Sequence, residues 1–196
     1  SQVGDDTALA PTVGVMYGDA GRTQGRWFER MRLGVVYRRG PSFSYTTQGE
    51  GVPAIAGLRF RVPHTLAAGA SLRFSRPLTV AAEVTRIGYS RLVEDFITDQ
   101  ARADGRANDF SISDGTEFHF GAQYALLQLK GRPRLRAGAW FDPDHSVKFT
   151  PRQASTSAFA RVFDERLATA LSRGGNQVHV TGGLGLTLHP RVEFNA

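Results

Sequence analysis

Apolar and polar positions alternate with a period of two along most of this chain, the spacing of β-strands rather than helices. The alternation is clearest from His64 to Tyr89. Leu66, Ala68, Ala70, Leu72 and Phe74 share one parity, and Thr65, Gly69, Ser71 and Arg73 share the other. After Ser75-Arg76-Pro77 the pattern resumes, with Leu78, Val80, Ala82 and Val84 set against Thr79, Glu83 and Thr85. Two amphipathic strands joined by a tight turn are predicted here. Each has one apolar face and one small, polar face.

Other segments repeat the pattern. Strands are predicted at Pro11–Gly18, at Met31–Arg39, around Phe43 and Tyr45, and at Gly57–Val62, with a loop at Gly49–Pro53. Further strands are predicted at Thr116–Leu126, Arg134–Phe141 and Gln177–Leu188, and a last one begins at Val192 and Phe194. That makes roughly ten strands on the period-two pattern. Between them, Arg91–Gly115 is predicted as an extended loop with a short helix near Leu92–Ile97. Asp142–Asn176 is predicted as a second long loop. Inside it Phe159, Val162, Phe163, Leu167, Ala170 and Leu171 follow helical spacing, Ser157 suits an N-cap, and Gly174 suits a C-terminal stop.

The connections differ in length. Short turns fall at Ser75–Pro77, Lys130–Pro133 and His189–Arg191, and long loops fall between them. Short turns at one end and long loops at the other is the arrangement of outer-membrane barrels. The polar parity holds mainly Gly, Ser, Thr, Gln and Arg, which suits a crowded or plugged lumen better than the outside of a soluble sheet. Phe and Tyr lie near strand ends, as interfacial girdles do. The fold class expected is therefore all-β: an antiparallel transmembrane β-barrel, present in part, with long extracellular loops, one of them partly helical. The alternative is a soluble or secreted β-sandwich or β-barrel that serves as a binding module with no transport role.

Composition sharpens this only at the edges. The chain has 196 residues, 22 of them glycine and 13 phenylalanine, with a net charge of +6. Glycine inside a strand marks a bend or a close approach. Cysteine is absent, so there is neither a disulfide framework nor a thiolate metal site. No apolar run approaches the ~18–20 residues of a membrane helix, whereas a barrel strand needs only about 9–11. The basic residues do not cluster with aromatic groups on one segment, so nucleic acid is not an expected partner. No G-x-S-x-G motif presents a nucleophile, and Gly182-Gly183-Leu184-Gly185 has no following Lys-Ser/Thr. No enzyme activity and no cofactor are expected.

Several phrases together resemble the FadL-type outer-membrane transporters of long-chain fatty acids and other hydrophobic compounds. They are MRLGVVYRRGPSFSY, VPHTLAAGASLRFSRPLTVAAEVTRIGYSRL, GTEFHFGAQYAL, RPRLRAGAWFDPDHSV and VTGGLGLTLHPRVEF, in that order. The resemblance implies a barrel of fourteen strands, plugged by an N-terminal hatch, that passes hydrophobic molecules by passive diffusion and releases them sideways through its wall. It implies a bacterial outer-membrane location, contact with lipid or lipopolysaccharide, and a monomer once complete. This chain departs from that pattern. The hatch and the final strand are not found in it, and the Asp142–Asn176 loop is long. It is therefore expected to be the C-terminal portion of a larger barrel, a single unit over 1–196.

The candidate ligand-binding residues are those expected to face the lumen: Arg59, Arg61, Arg73, Glu83, Arg86, His119, Arg136 and Trp140. The arginines would hold a carboxylate headgroup or pair with acids such as Glu83 and Glu117. His119 and His179 share a parity but carry no metal-ligand motif, so no metal site is expected. At Arg86 the apolar set moves from even to odd numbers, through Ile87 and Tyr89, which predicts a β-bulge beside Gly88 and a possible lateral opening.

Overall fold

The computed structural model describes residues 2–3, 7–18, 26–49, 52–93, 110–149, 162, 166, 169, 174–189 and 192–195. It is all-β, and most of it is one antiparallel sheet. The strands are β1 (Gln2–Val3), β2 (Thr12–Tyr17), β3 (Met31–Arg38), β4 (Ser42–Gly49), β5 (Val52–Arg61), β6 (Thr65–Arg73) and β7 (Leu78–Ile87). There follow β8 (Phe110–Ser111), β9 (Gly115–Ala125), β10 (Arg134–Asp142), β11 (Lys148–Phe149), β12 (Gln177–His189) and β13 (Val192–Asn195). Eight of them form the main sheet in the order β13-β12-β10-β9-β7-β6-β3-β2. Each strand of that sheet pairs antiparallel with the sheet's next strand along the chain, with three excursions between them that hold β4–β5, β8 and β11, so the sheet is a meander. It is open: β2 and β13 are its two edges among the described residues.

The two ends of the meander differ. At one end β6 turns into β7 through residues 74–77, closed by Ser75 N–H donating to Leu78 O at 3.2 Å. At the same end β9 reaches β10 through residues 126–133, where Gly131 and Arg132 adopt positive φ of 80° and 43°. Gly131 O accepts from Thr187 N at 2.9 Å, which ties this turn to β12. At the other end lie the long connections, 88–114 and 143–176.

A third connection, 39–64, also lies at the loop end, and its structure departs from the sequence expectation. The segments around Phe43 and Gly57–Val62 do not extend the main sheet. They form the hairpin β4–β5, which with β1 makes a separate three-stranded sheet. Pro41 and Pro63 bracket the hairpin, and proline has no N–H to carry a ladder onward. β3 pairs directly with β6 instead, from Met31↔Leu72 to Arg38↔Thr65. His64 pins the crossing: its Nδ1 accepts from Gly40 N at 2.9 Å and its carbonyl accepts from Gly88 N at 3.0 Å. The loop expected at Gly49–Pro53 is shorter, since Gly49 and Val52 are already strand partners.

The predicted bulge at Arg86 is not present. From Leu78↔Tyr124 to Ile87↔Gly115 the pairing of β7 with β9 runs without a shift, as does its pairing with β6. The apparent change of parity arises because Arg86 occupies an apolar-face position and Ile87 a polar-face one. Irregularities lie elsewhere, between Thr187 and His189 and within β4–β5.

In the Arg91–Gly115 loop, the described part holds a 3-10 turn at Tyr89–Leu92 and the strand β8, which pairs with β11. Residues 94–97 of the expected helix lie outside the described residues. Of the expected helix at 157–173, Val162, Arg166 and Thr169 are described, and all three are helical. Ser157 and the rest of that stripe lie outside the described residues.

Packing is one-sided. Only Val93 and Ile112 are buried hydrophobic residues among those described, and both sit in the loop-end connections. The apolar parity of the main sheet is bare. Val15, Val35, Leu66, Val84, Phe120, Leu135 and Val180 all lie on it, and their exposures run from 38% to 80%. Seven strand spacings make this face about 34 Å wide, so it covers far more than the few hundred Å² usual for an exposed patch.

Candidate functional site

The site lies on the opposite, polar face. Antiparallel pairing brings one residue from each strand into a row across the sheet. One row reads Met16, Gly34, Gly69, Glu83, His119, Trp140 and His179. It collects three of the predicted residues, Glu83, His119 and Trp140, and adds His179. The rings stack edge-up along the row: Trp140 and His179 have centroids 4.3 Å apart at 10°, and His119 and Trp140 6.4 Å apart at 10°. Such cross-strand aromatic neighbours stiffen a sheet face.

Hydrogen bonds hold the members in place. His119 Nε2 donates to Glu117 Oε2 at 3.1 Å. Thr85 Oγ1 donates to Glu83 Oε1 at 3.1 Å, drawing that carboxylate toward the loop end. Glu83 and Glu117 therefore take a hydroxyl and an imidazole as partners rather than the arginines expected from sequence. Arg136 lies toward the turn end and its Nε donates to Gln123 Oε1 at 3.0 Å. Arg73 is on the same face, opposite Thr79 in the row that also holds Gln123 and Arg136.

Two corrections concern the other predicted arginines. Arg59 and Arg61 stand on β5, opposite Ser44 and Ser42, off the main sheet and away from the row. Arg86 stands on the apolar face, opposite Leu66 and Thr116. Its Nη1 donates to Thr116 Oγ1 at 2.9 Å, and its Nη2 lies 3.5 Å from Asp114 Oδ2. The strand ends one residue later, so its head reaches the loop-end rim instead of the polar face.

Above the row, at the loop end, a second group gathers around Tyr89. Its ring stacks on His145 at 4.7 Å, packs over Gly115, and its hydroxyl donates to Glu117 Oε1 at 3.4 Å. Burial, reinforced by the charges of Glu117 and Asp142, pushes its phenol from 10.0 up to about 12. Asp142 Oδ1 faces His145 Nδ1 at 3.4 Å without a hydrogen bond, because that nitrogen donates to Pro143 O at 3.0 Å. Nearby, the Asp114 carboxylate accepts from Ser90 N at 3.0 Å, and this bond, aided by the Ser90 hydroxyl and Arg86, holds it below the usual carboxylate range. No group of three or more His, Asp or Glu able to hold a metal ion occurs among the described residues.

The polar face is concave at its β2–β9 side. A groove of about 710 Å³ lies there, lined from Met16 through Gly34, Gly69 and Glu83 to His119, with Arg32 on its turn-side wall. Small side chains make the room: Ala67, Ser71, Ala81 and Gly121 also line it. Arg32, His179, Glu117 and Tyr89 are the site residues that single-strand patterns did not select. Arg32 and His179 share the polar parity, but only the pairing register brings them to the groove and the row.

Fold and site together define an all-β protein built mainly on one amphipathic antiparallel sheet, with a polar, grooved face and a bare apolar one. Compared with known proteins, the chain matches no family model, no curated protein and no solved structure.

Proposed function

We propose that this chain forms the wall of a bacterial outer-membrane β-barrel that lets small hydrophobic molecules pass by diffusion, as the FadL-type resemblance implies. The bare apolar face carries this proposal. In water an apolar surface this wide would drive association, whereas in a bilayer it is the lipid-facing wall. Three further observations support it. Strands β6, β7, β9, β10 and β12 have nine, ten, eleven, nine and thirteen residues, enough to cross a hydrocarbon core. At the end where β6 turns into β7, three of the four connections are short (74–77, 126–133 and 190–191, against 18–30), and all three at the other end are long. The groove lies on the concave, polar face, where a lumen belongs.

An open sheet leaves two strand edges with unpaired backbone groups, which lipid does not tolerate. The free sides of β2 and β13 are then where further strands complete the wall, from the same protein or from a partner. Affinity along the passage comes from apolar burial at roughly 25 cal/mol per Å² and stays modest enough for release. The test is flotation with lipid vesicles followed by uptake of hydrophobic solutes into vesicles carrying the protein. Co-flotation with solute entry is expected. A chain that remains soluble and monomeric without detergent refutes the proposal and leaves a soluble sheet-based binding module.

A further inference from the structure

The stack of rings ends on His119, and the row continues past it through a gap. Glu83 stands beside the ring, and beyond it the next two members are Gly69 and Gly34, so two strands in succession offer no side chain to the groove. Glu83 itself leans away toward Thr85. The His119 side chain is 38% exposed, and the groove occupies the gap. Packing does not demand glycine at Gly34 or Gly121. A Cβ at either would have its nearest neighbour, a carbonyl oxygen, 4.0 Å away. The space above these two is therefore open, while at Gly69 between them a Cβ would meet Ala82 O at 3.3 Å and the Glu83 Cβ and Cγ at 3.5 and 3.6 Å, so the Glu83 stem forms the groove's wall there.

A charged group stands at the groove's turn side. Arg32 stands two residues before Gly34 on the same face of β3, faces Ser71 across the ladder, and has no hydrogen-bond or ion-pair partner among the described residues. A guanidinium in a groove is a ready site for a planar anion, held by paired N–H donors. Glu83, at the other side, repels the same anion and so sets its direction.

We propose that this groove binds an aromatic carboxylate. Its ring extends the stack by lying on His119 over Gly69, and its carboxylate meets Arg32 and Ser71. From β9 to β3 is three strand spacings, about 14 Å, a distance that a fused bicyclic ring and the arginine side chain together bridge. This deepens the proposed function by naming a ligand class, and it rests on the polar face lining a passage.

The experiment is calorimetric titration of the protein in lipid nanodiscs with 2-naphthoate, octanoate and 2-naphthylmethylammonium. Naphthoate is expected to bind best. Arg32→Gln should weaken it at least about tenfold, the share of a charge-assisted hydrogen-bonded pair. Gly34→Leu and Gly121→Leu should abolish binding while leaving the circular dichroism spectrum unchanged, since each fills open space. Equal binding of octanoate overturns the role of the ring stack. Tighter binding of the ammonium compound overturns the role of Arg32 in favour of Glu83. Naphthoate binding that survives both glycine variants places the ligand elsewhere and overturns the proposal. Solute flux through vesicles is measured separately. Binding without flux refutes the passage and leaves the groove site standing, and flux without groove-dependent binding does the reverse.

Discussion

Replacing Phe120 with lysine separates a lipid-facing wall from a wet surface. Phe120 is the sixth of the eleven residues of β9, lies on the apolar face between Ala82 and Ala139, and is 60% exposed. Eleven residues rise about 37 Å, and a strand tilt near 40° reduces this to ~29 Å along the membrane normal, close to the hydrocarbon thickness. Phe120 then sits near the midplane, where a lysine costs about 2–4 kcal/mol. Leu135, the second residue of β10 and 49% exposed, stands opposite Tyr124, four residues from Phe120 toward the turn end. A lysine there costs ~0–1 kcal/mol, so the two variants should differ by about 2 kcal/mol. Guanidinium unfolding of both variants in lipid vesicles, followed by tryptophan emission, reads that difference. On a surface facing water, both substitutions stay within about 0.5 kcal/mol and the two do not differ. Equal unfolding midpoints for F120K and L135K in vesicles would refute the membrane assignment of this face.

The loop-end cluster gives two pH experiments. Tyr89, pushed up to about 12 by burial and by Glu117 and Asp142, favours its neutral form in the fold. Its stabilisation is whole below pH 10 and declines as pH rises toward 12. One of the five tyrosines should therefore ionise late in an ultraviolet difference titration, and Tyr89→Phe should remove that late step. Asp114 is held below 3.8 chiefly by the Ser90 backbone N–H, so its stabilisation is present above that pH and fades as acid protonates the folded carboxyl. Asp114→Asn should lower the stability at neutral pH by about 1 kcal/mol or less at so exposed a site, read as a lower melting temperature, and the difference should vanish in acid. Two glycines should respond oppositely to alanine. At Gly40 a Cβ would fall 2.0 Å from Val62 O and 2.5 Å from Pro63 O, backbone atoms that cannot step aside. Gly40→Ala should cost at least ~3 kcal/mol, while Gly34→Ala, in open space, should stay within about 0.5 kcal/mol in the same denaturation series.

Period-two alternation made β2, β3, β6, β7, β9, β10 and β12 legible, because each buries or exposes one face along its whole length. The short turns at 74–77 and after β9 were legible for the same reason as any turn: proline and glycine interrupt the alternation there. What alternation does not encode is which strand pairs with which. The β4–β5 hairpin alternates as well as its neighbours do, yet it leaves the main sheet. The signal was the pair of prolines at 41 and 63, which interrupt the ladder on both sides.

The site shows the same limit more sharply. Parity alone puts Arg73, Glu83, His119, Arg136 and Trp140 on one face, and the structure keeps them there. Parity cannot tell that Glu83, His119 and Trp140 share a row while Arg73 and Arg136 share another. That follows from the pairing sums of successive antiparallel strands, which turns of unknown length leave open. Arg86 failed for a related reason. A change of hydrophobic parity has two physical sources, an extra residue in the backbone or a polar residue standing on the apolar face. At a strand's last positions the second costs little, because a long arginine reaches the rim, where Thr116 and Asp114 receive it. A bulge is the better inference only in mid-strand, where no rim is within reach. The irregularity between Thr187 and His189, where β12 meets the short edge strand β13, falls at a strand end as well and so does not mark a mid-strand opening.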